Sequence, residues 1–190
     1  MNNKGLIVSL SLSIGVLALA VAVPRTAHGD HGQGSSQQKQ HAGELVRAVR
    51  DATRRFRDVN QAEAEGYHLL FGCVSGPDDG AMGLHYVNMD LVGDPALDPG
   101  RPEIVIYEPL PNGGRRLIGA DFLVFAADWH ATNTATPELG GQLMHLIEAP
   151  NRYGLPAFYT LHVWAWKPNP TGAFVNWHSD VSCEQFDGAQ

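Results

Sequence analysis

Between Gly43 and about Glu65 the apolar positions Leu45, Val49, Ala52, Phe56, Val59 and Ala62 recur at helical spacing, with arginines 47, 50, 54, 55 and 57 among the remaining positions. That pattern predicts one amphipathic helix, ended by Gly66. Beyond Gly66 the period changes. Short β-like runs separated by Gly and Pro predict strands near 68–74, 84–88, 103–109, 115–126 and 158–166, with a short one near 143–148. LPNGG at 110–114 is a hairpin signal, because Asn112, Gly113 and Gly114 tolerate the positive φ that tight turns need. Longer loops are expected at 93–102, 128–141 and 167–172.

One helix followed by five or six mostly antiparallel strands implies an α+β fold, with the N-terminal amphipathic helix packed on a curled sheet or small barrel. The run 115–126 is apolar on both alternating sets, as expected of a central strand covered on two faces. Asp121 interrupts it. His85 in GLHYVN, Glu108 in EIVIYEPL and His162 in FYTLHVWAW interrupt apolar strands in the same way. A buried polar group left without a hydrogen bond costs on the order of 2 to 7 kcal/mol, so these four residues are expected to meet one another or a shared ligand.

The chain begins with Lys4, an uncharged run from Gly5 to Val23, then Pro24 and a short polar stretch ending Ala27, His28, Gly29. This is the layout of a secretory signal peptide over residues 1–29, and it implies a secreted or periplasmic location. An uncleaved anchor is the alternative, since the apolar run approaches a membrane span in length. With cleavage, no stable membrane insertion is expected. Residues 30–42, DHGQGSSQQKQHA, have the polar composition of a flexible linker, and 43–187 are expected to form a single α+β domain.

Loss of Lys4 and Arg25 with the leader takes the formal net charge from −7 to −9. An acidic chain without a basic run is a poor partner for nucleic acid. Its two cysteines, Cys73 and Cys183, are expected to form one disulfide in an oxidising compartment, pinning the C-terminal tail beside the first strand.

Several chemistries lack their signatures. No GxSxG is present, and His178, Ser179 and Asp180 are adjacent in sequence, so their side chains diverge rather than form a triad. SGPDDG and PNGG carry turn glycines without the lysine and helix start of a phosphate loop. The tryptophans 164, 166 and 177 read as core that can also wall a pocket.

The segments GCVSGPDDGAMGLHYVN, RPEIVIYEPL and LHVWAWKPNPTGAFVNWHSDVSC resemble the signature segments of a group of small, uncharacterised secreted bacterial proteins. The resemblance covers about residues 44–183 and implies a shared fold and export. It brings no activity and no ligand.

The residues themselves therefore carry the functional expectation: a metal ion or small molecule held by His85, Glu108, Asp121 and His162. Two imidazoles with one or two carboxylates suit a divalent transition metal, with Zn or Cu favoured by the histidines. Imidazoles and one carboxylate would bind the ion while the other carboxylate orients a histidine. Two other readings stand beside it. One is a metal-free acid/base enzyme of isomerase, cyclase or lyase type using His162 and Asp121. The other is a structural envelope protein in which the polar residues are satisfied locally, Glu108 by Arg115 or Arg116 across the hairpin. No catalytic residue is assigned.

Overall fold

The computed structural model describes residues 31–188 except residue 77. The expected signal peptide, 1–29, lies outside the described residues. Helix α1 spans His31–Thr53, a 3-10 turn follows at Arg54–Arg57, and helix α2 covers Val59–Ala64. The amphipathic stripe is thus one sequence pattern but not one helix. The break has a local cause: the Asp58 side chain accepts the N–H of Asn60 and caps α2. The Tyr107 hydroxyl donates to the Phe56 carbonyl at 2.6 Å and holds the 3-10 turn. Helix α1 also takes in residues 31–42, expected from composition to be a flexible tether. Gln and Lys are good helix formers, and Gln40 donates to Glu44 one turn on.

The strands are β1 (His68–Ser75), β2 (Ala81–Val87), β3 (Ile104–Pro109), β4 (Arg115–Phe125), the short β5 (Glu138–Leu139), β6 (Gln142–Leu143) and β7 (His145–Ile147), and β8 (Phe158–Val163). Short helices α3 (Met89–Val92) and α4 (Ala126–His130) lie between them. Strands β1, β2, β3, β4, β8 and β7 make one curled antiparallel six-stranded sheet in that order, so the fold is α+β with a curled sheet. The expected hairpin joins β3 to β4, where Leu110 N–H bonds the Gly114 carbonyl.

The central position of β4 explains its double apolar pattern. Ala120, Phe122 and Val124 are buried in a cluster with Leu161 and Val163 of β8 and with Leu45 and Val49 of α1. Thr53 and Arg50 reach the segment after β8, Thr53 Oγ1 accepting from Trp166 Nε1 at 2.9 Å and Arg50 donating to the Ala165 carbonyl at 2.6 Å. Leu117 and Leu123, on the other alternation of β4, belong to a second cluster with Ile104, Ile106, Phe158 and Trp164. Asp121 shares that alternation.

Cys73 and Cys183 are disulfide-bonded across a sequence separation of 110. The tail is also tied by a β-bridge between Ala81 and His178. Among the described residues no helix is long and apolar enough to cross a membrane.

Candidate metal centre

Strand pairing places Asp121 of β4 directly opposite His162 of β8, and Leu123 opposite Thr160. In an antiparallel pair, opposed residues point to the same face, so Asp121 and His162 stand side by side. His85 comes from β2, one strand removed: it pairs with Ile106 of β3, whose Ile104 pairs with Asp121. On a flat sheet two strand spacings would separate β2 from β4 by roughly 9 to 10 Å. The curl closes that gap over β3. His85, Asp121 and His162 each present one ligand atom so that all three atoms lie within 4.8 Å of one another.

All three residues are buried, His85 at 6% exposure and Asp121 and His162 at 3%. His85 Nδ1 lies 3.1 Å from the Gly83 carbonyl. That carbonyl accepts only from an N–H, which assigns the proton to Nδ1 and leaves the Nε2 lone pair free for a ligand. Gly83 itself has φ 97, and a Cβ there would stand 2.5 Å from the Tyr107 carbonyl oxygen, so the carbonyl that orients His85 depends on glycine. Asp121 Oδ1 accepts from Thr160 Oγ1 at 2.6 Å. The same Oδ1 is 3.6 Å from His162 Nδ1, too long for a hydrogen bond. Both ring nitrogens of His162 are buried without a hydrogen-bond partner, as is Oδ1 of Asn176 at the same cavity. His162 packs edge to face with His85 at 5.8 Å between ring centres and stacks on Trp164 at 6.0 Å.

Burial sets the protonation of the group. It pushes His85 down to about 4, reinforced by His162 and opposed by Asp121. It pushes His162 down to about 3, with His145 adding to the effect and Asn176 opposing it. Asp121 is raised to about 6, burial outweighing its hydrogen bond from Thr160 and the neighbouring His85. At neutral pH the group therefore holds two neutral imidazoles and one carboxylate. Because His162 is uncharged, its approach to Asp121 is not an ion pair. The set matches the requirement that metal ligands be deprotonated, and it could hold a metal ion. Ligand atoms of a tetrahedral ion with bonds of about 2.0 to 2.2 Å lie roughly 3.3 to 3.6 Å apart, close to the Asp121–His162 separation.

The group opens on a cavity of about 40 Å³ whose other walls are mainly apolar, including Met82, Ile104, Leu123 and Phe158. Phe71, 40% exposed, and Tyr153 meet edge to face at 5.6 Å on its lining. Phe71 has φ 65 at the irregularity in β1 between Leu70 and Cys73.

Glu108, expected with the other three, stands apart from them. Its carboxylate is taken by Arg116 across the β3–β4 hairpin and by Lys167, whose Nζ lies 2.7 Å from Oε1. Burial would raise its pKa, but these two cations outweigh it and hold the carboxyl below its usual range. Thr160, Asn176 and the Gly83 carbonyl were not singled out by sequence. Thr160 had a usable signal, since it shares the alternation of His162 two residues away.

Comparison with known protein families, with curated proteins and with solved structures finds no match to the chain.

Proposed function

We propose that the protein is an exported domain that binds one divalent transition metal ion through His85, Asp121 and His162. The observation that carries this reading is a buried His, Asp, His group whose ligand atoms lie within 4.8 Å of one another, with neither His162 nitrogen in a hydrogen bond of ordinary geometry. Leaving such a group unsatisfied is costly, and a metal ion would take the lone pair of one His162 nitrogen while the other faces Asn176. Two supporting contacts have the form expected around a metal: the Gly83 carbonyl on His85 and the Thr160 hydroxyl on Asp121. Three protein ligands leave a position for water or a small molecule, the arrangement of reactive rather than purely structural sites. Two imidazoles and a carboxylate suit Zn, with Cu the next choice.

Export rests on the N-terminal pattern of Lys4, the apolar run and Ala27-x-Gly29, and is consistent with the Cys73–Cys183 bridge. Elemental analysis of protein isolated from the periplasm or medium tests both parts. About one equivalent of Zn or Cu on a chain starting near Asp30 is the expected result. Metal-free protein that also refuses Zn and Cu on titration would overturn the metal reading. A chain retaining Met1 in a membrane fraction would overturn cleavage.

A further inference from the structure

Resting on the metal reading above, we infer that the open position of this centre takes a small monoanion of two or three non-hydrogen atoms, selected by charge and by a cavity too small for more. The charge follows from the ligands. A divalent ion with one carboxylate and two neutral imidazoles carries one net positive charge. No other residue lining the cavity among those described is ionisable in a way that would cancel it: Tyr153, Thr160 and Asn176 are neutral and the rest are apolar. A buried, unmatched charge is strongly disfavoured, so a fourth ligand with a single negative charge brings the site to neutrality. A dianion would reverse the imbalance.

The size follows from the space. A water molecule needs roughly 10 to 15 Å³ on this measure. The cavity of about 40 Å³ therefore holds the ion together with about two or three further atoms. Met82, Ile104, Leu123 and Phe158 give a polar or branched ligand no hydrogen-bonding wall to lie along. Phe71, 40% exposed, and Tyr153 meet edge to face at 5.6 Å on the cavity lining, which places the Phe71 ring between the cavity and solvent. Linear triatomic anions such as azide or cyanate match that size.

The test uses the full exported protein loaded with cobalt(II), whose visible absorption reports its ligands. Cobalt content is measured first, so failure of the metal reading shows as absence of cobalt before any anion is added, and it would overturn this inference with it. On the loaded protein, azide should change the spectrum saturably. Benzoate and phosphate should bind at least tenfold more weakly. Phe71→Ala, which opens the approach without touching a ligand, should shrink the azide-over-benzoate preference by about tenfold while keeping the cobalt. Cobalt-loaded protein indifferent to azide, or binding benzoate or phosphate as tightly, would overturn the assignment. An unchanged preference in Phe71→Ala would overturn the role given to that ring.

Discussion

Asp121 and His162 face each other across the β4–β8 ladder at 3.6 Å, and the oxygen that approaches His162 is the one held by Thr160. The carboxylate is thereby fixed by a neighbour outside the proposed ligand set. Hydrogen-bond partners of metal ligands are typically worth 10-fold to 100-fold in affinity. Thr160→Val should lower zinc affinity by that range, while Thr160→Ser, which keeps the hydroxyl, should stay within about threefold of native. Competition with a chromogenic chelator measures both. Equal affinity in Thr160→Val and native protein would contradict the positioning role.

Glu108 supplies the converse test. Its oxygens are bound by Arg116 and Lys167, away from the three proposed ligands. Glu108→Gln should leave metal content and affinity unchanged, while costing more stability than an exposed pair would, because Lys167 and Glu108 are only 20% and 11% exposed. Loss of metal from this variant would return Glu108 to the ligand set.

The two cases show how far the sequence reaches. His85, Asp121, His162 and Glu108 give the same signal, a titratable residue inside an apolar strand. Glu108 differs only in sitting next to Pro109 at the strand end, where Arg116 lies opposite it across the turn. That pairing is legible from the hairpin, and it was among the alternatives. The meeting of His85 with Asp121 is not legible, because it depends on strand order and on curl across β3, neither of which periodicity encodes. Strand positions were read closely because β-branched and aromatic runs end at clear Gly and Pro breaks. The helical stripe hid the turn at Arg54–Arg57, because a 3-10 turn preserves nearly the same spacing of apolar residues. Glu103 carries no such signal: it sits just before the start of β3 beside Pro102, where charged residues are ordinarily exposed.

Glu103 is 2% exposed, and Oε2 accepts the Leu123 N–H at 3.1 Å. Burial raises its pKa to about 8. The folded protein then keeps this proton over pH values at which the unfolded chain, near 4.5, has released it. The native state binds more protons, so this group's contribution to stability falls as pH rises from about 4.5 through 8 and levels off above. Glu103→Gln retains the acceptor for Leu123 but does not titrate. Relative to native it should gain stability between pH 5 and pH 9, measured by urea unfolding at both. Parallel behaviour of the two proteins over that window would contradict a neutral buried Glu103.

The Cys73–Cys183 bridge encloses most of the sheet. In the chain-entropy model a loop of that length is worth about 4 to 5 kcal/mol. Replacing both cysteines by serine should lower the melting temperature by ~10 °C or more. The proposed metal site lies on β2, β4 and β8 rather than on the bridge, so zinc binding should survive below that temperature. A shift of only a degree or two would mean that the tail is held mainly by the Ala81–His178 bridge and its packing.

The central claim is that His85, Asp121 and His162 act as one metal site, and calorimetric titration of the demetallated protein with zinc tests it most directly. Native protein should bind one equivalent. His85→Ala and His162→Ala should each lose most of the affinity, and the double variant should lose little more than either, because one missing ligand already dismantles the site. Circular dichroism should show all three variants folded. Stoichiometric zinc binding by the folded double variant, or no zinc or copper binding by native protein, would contradict the account.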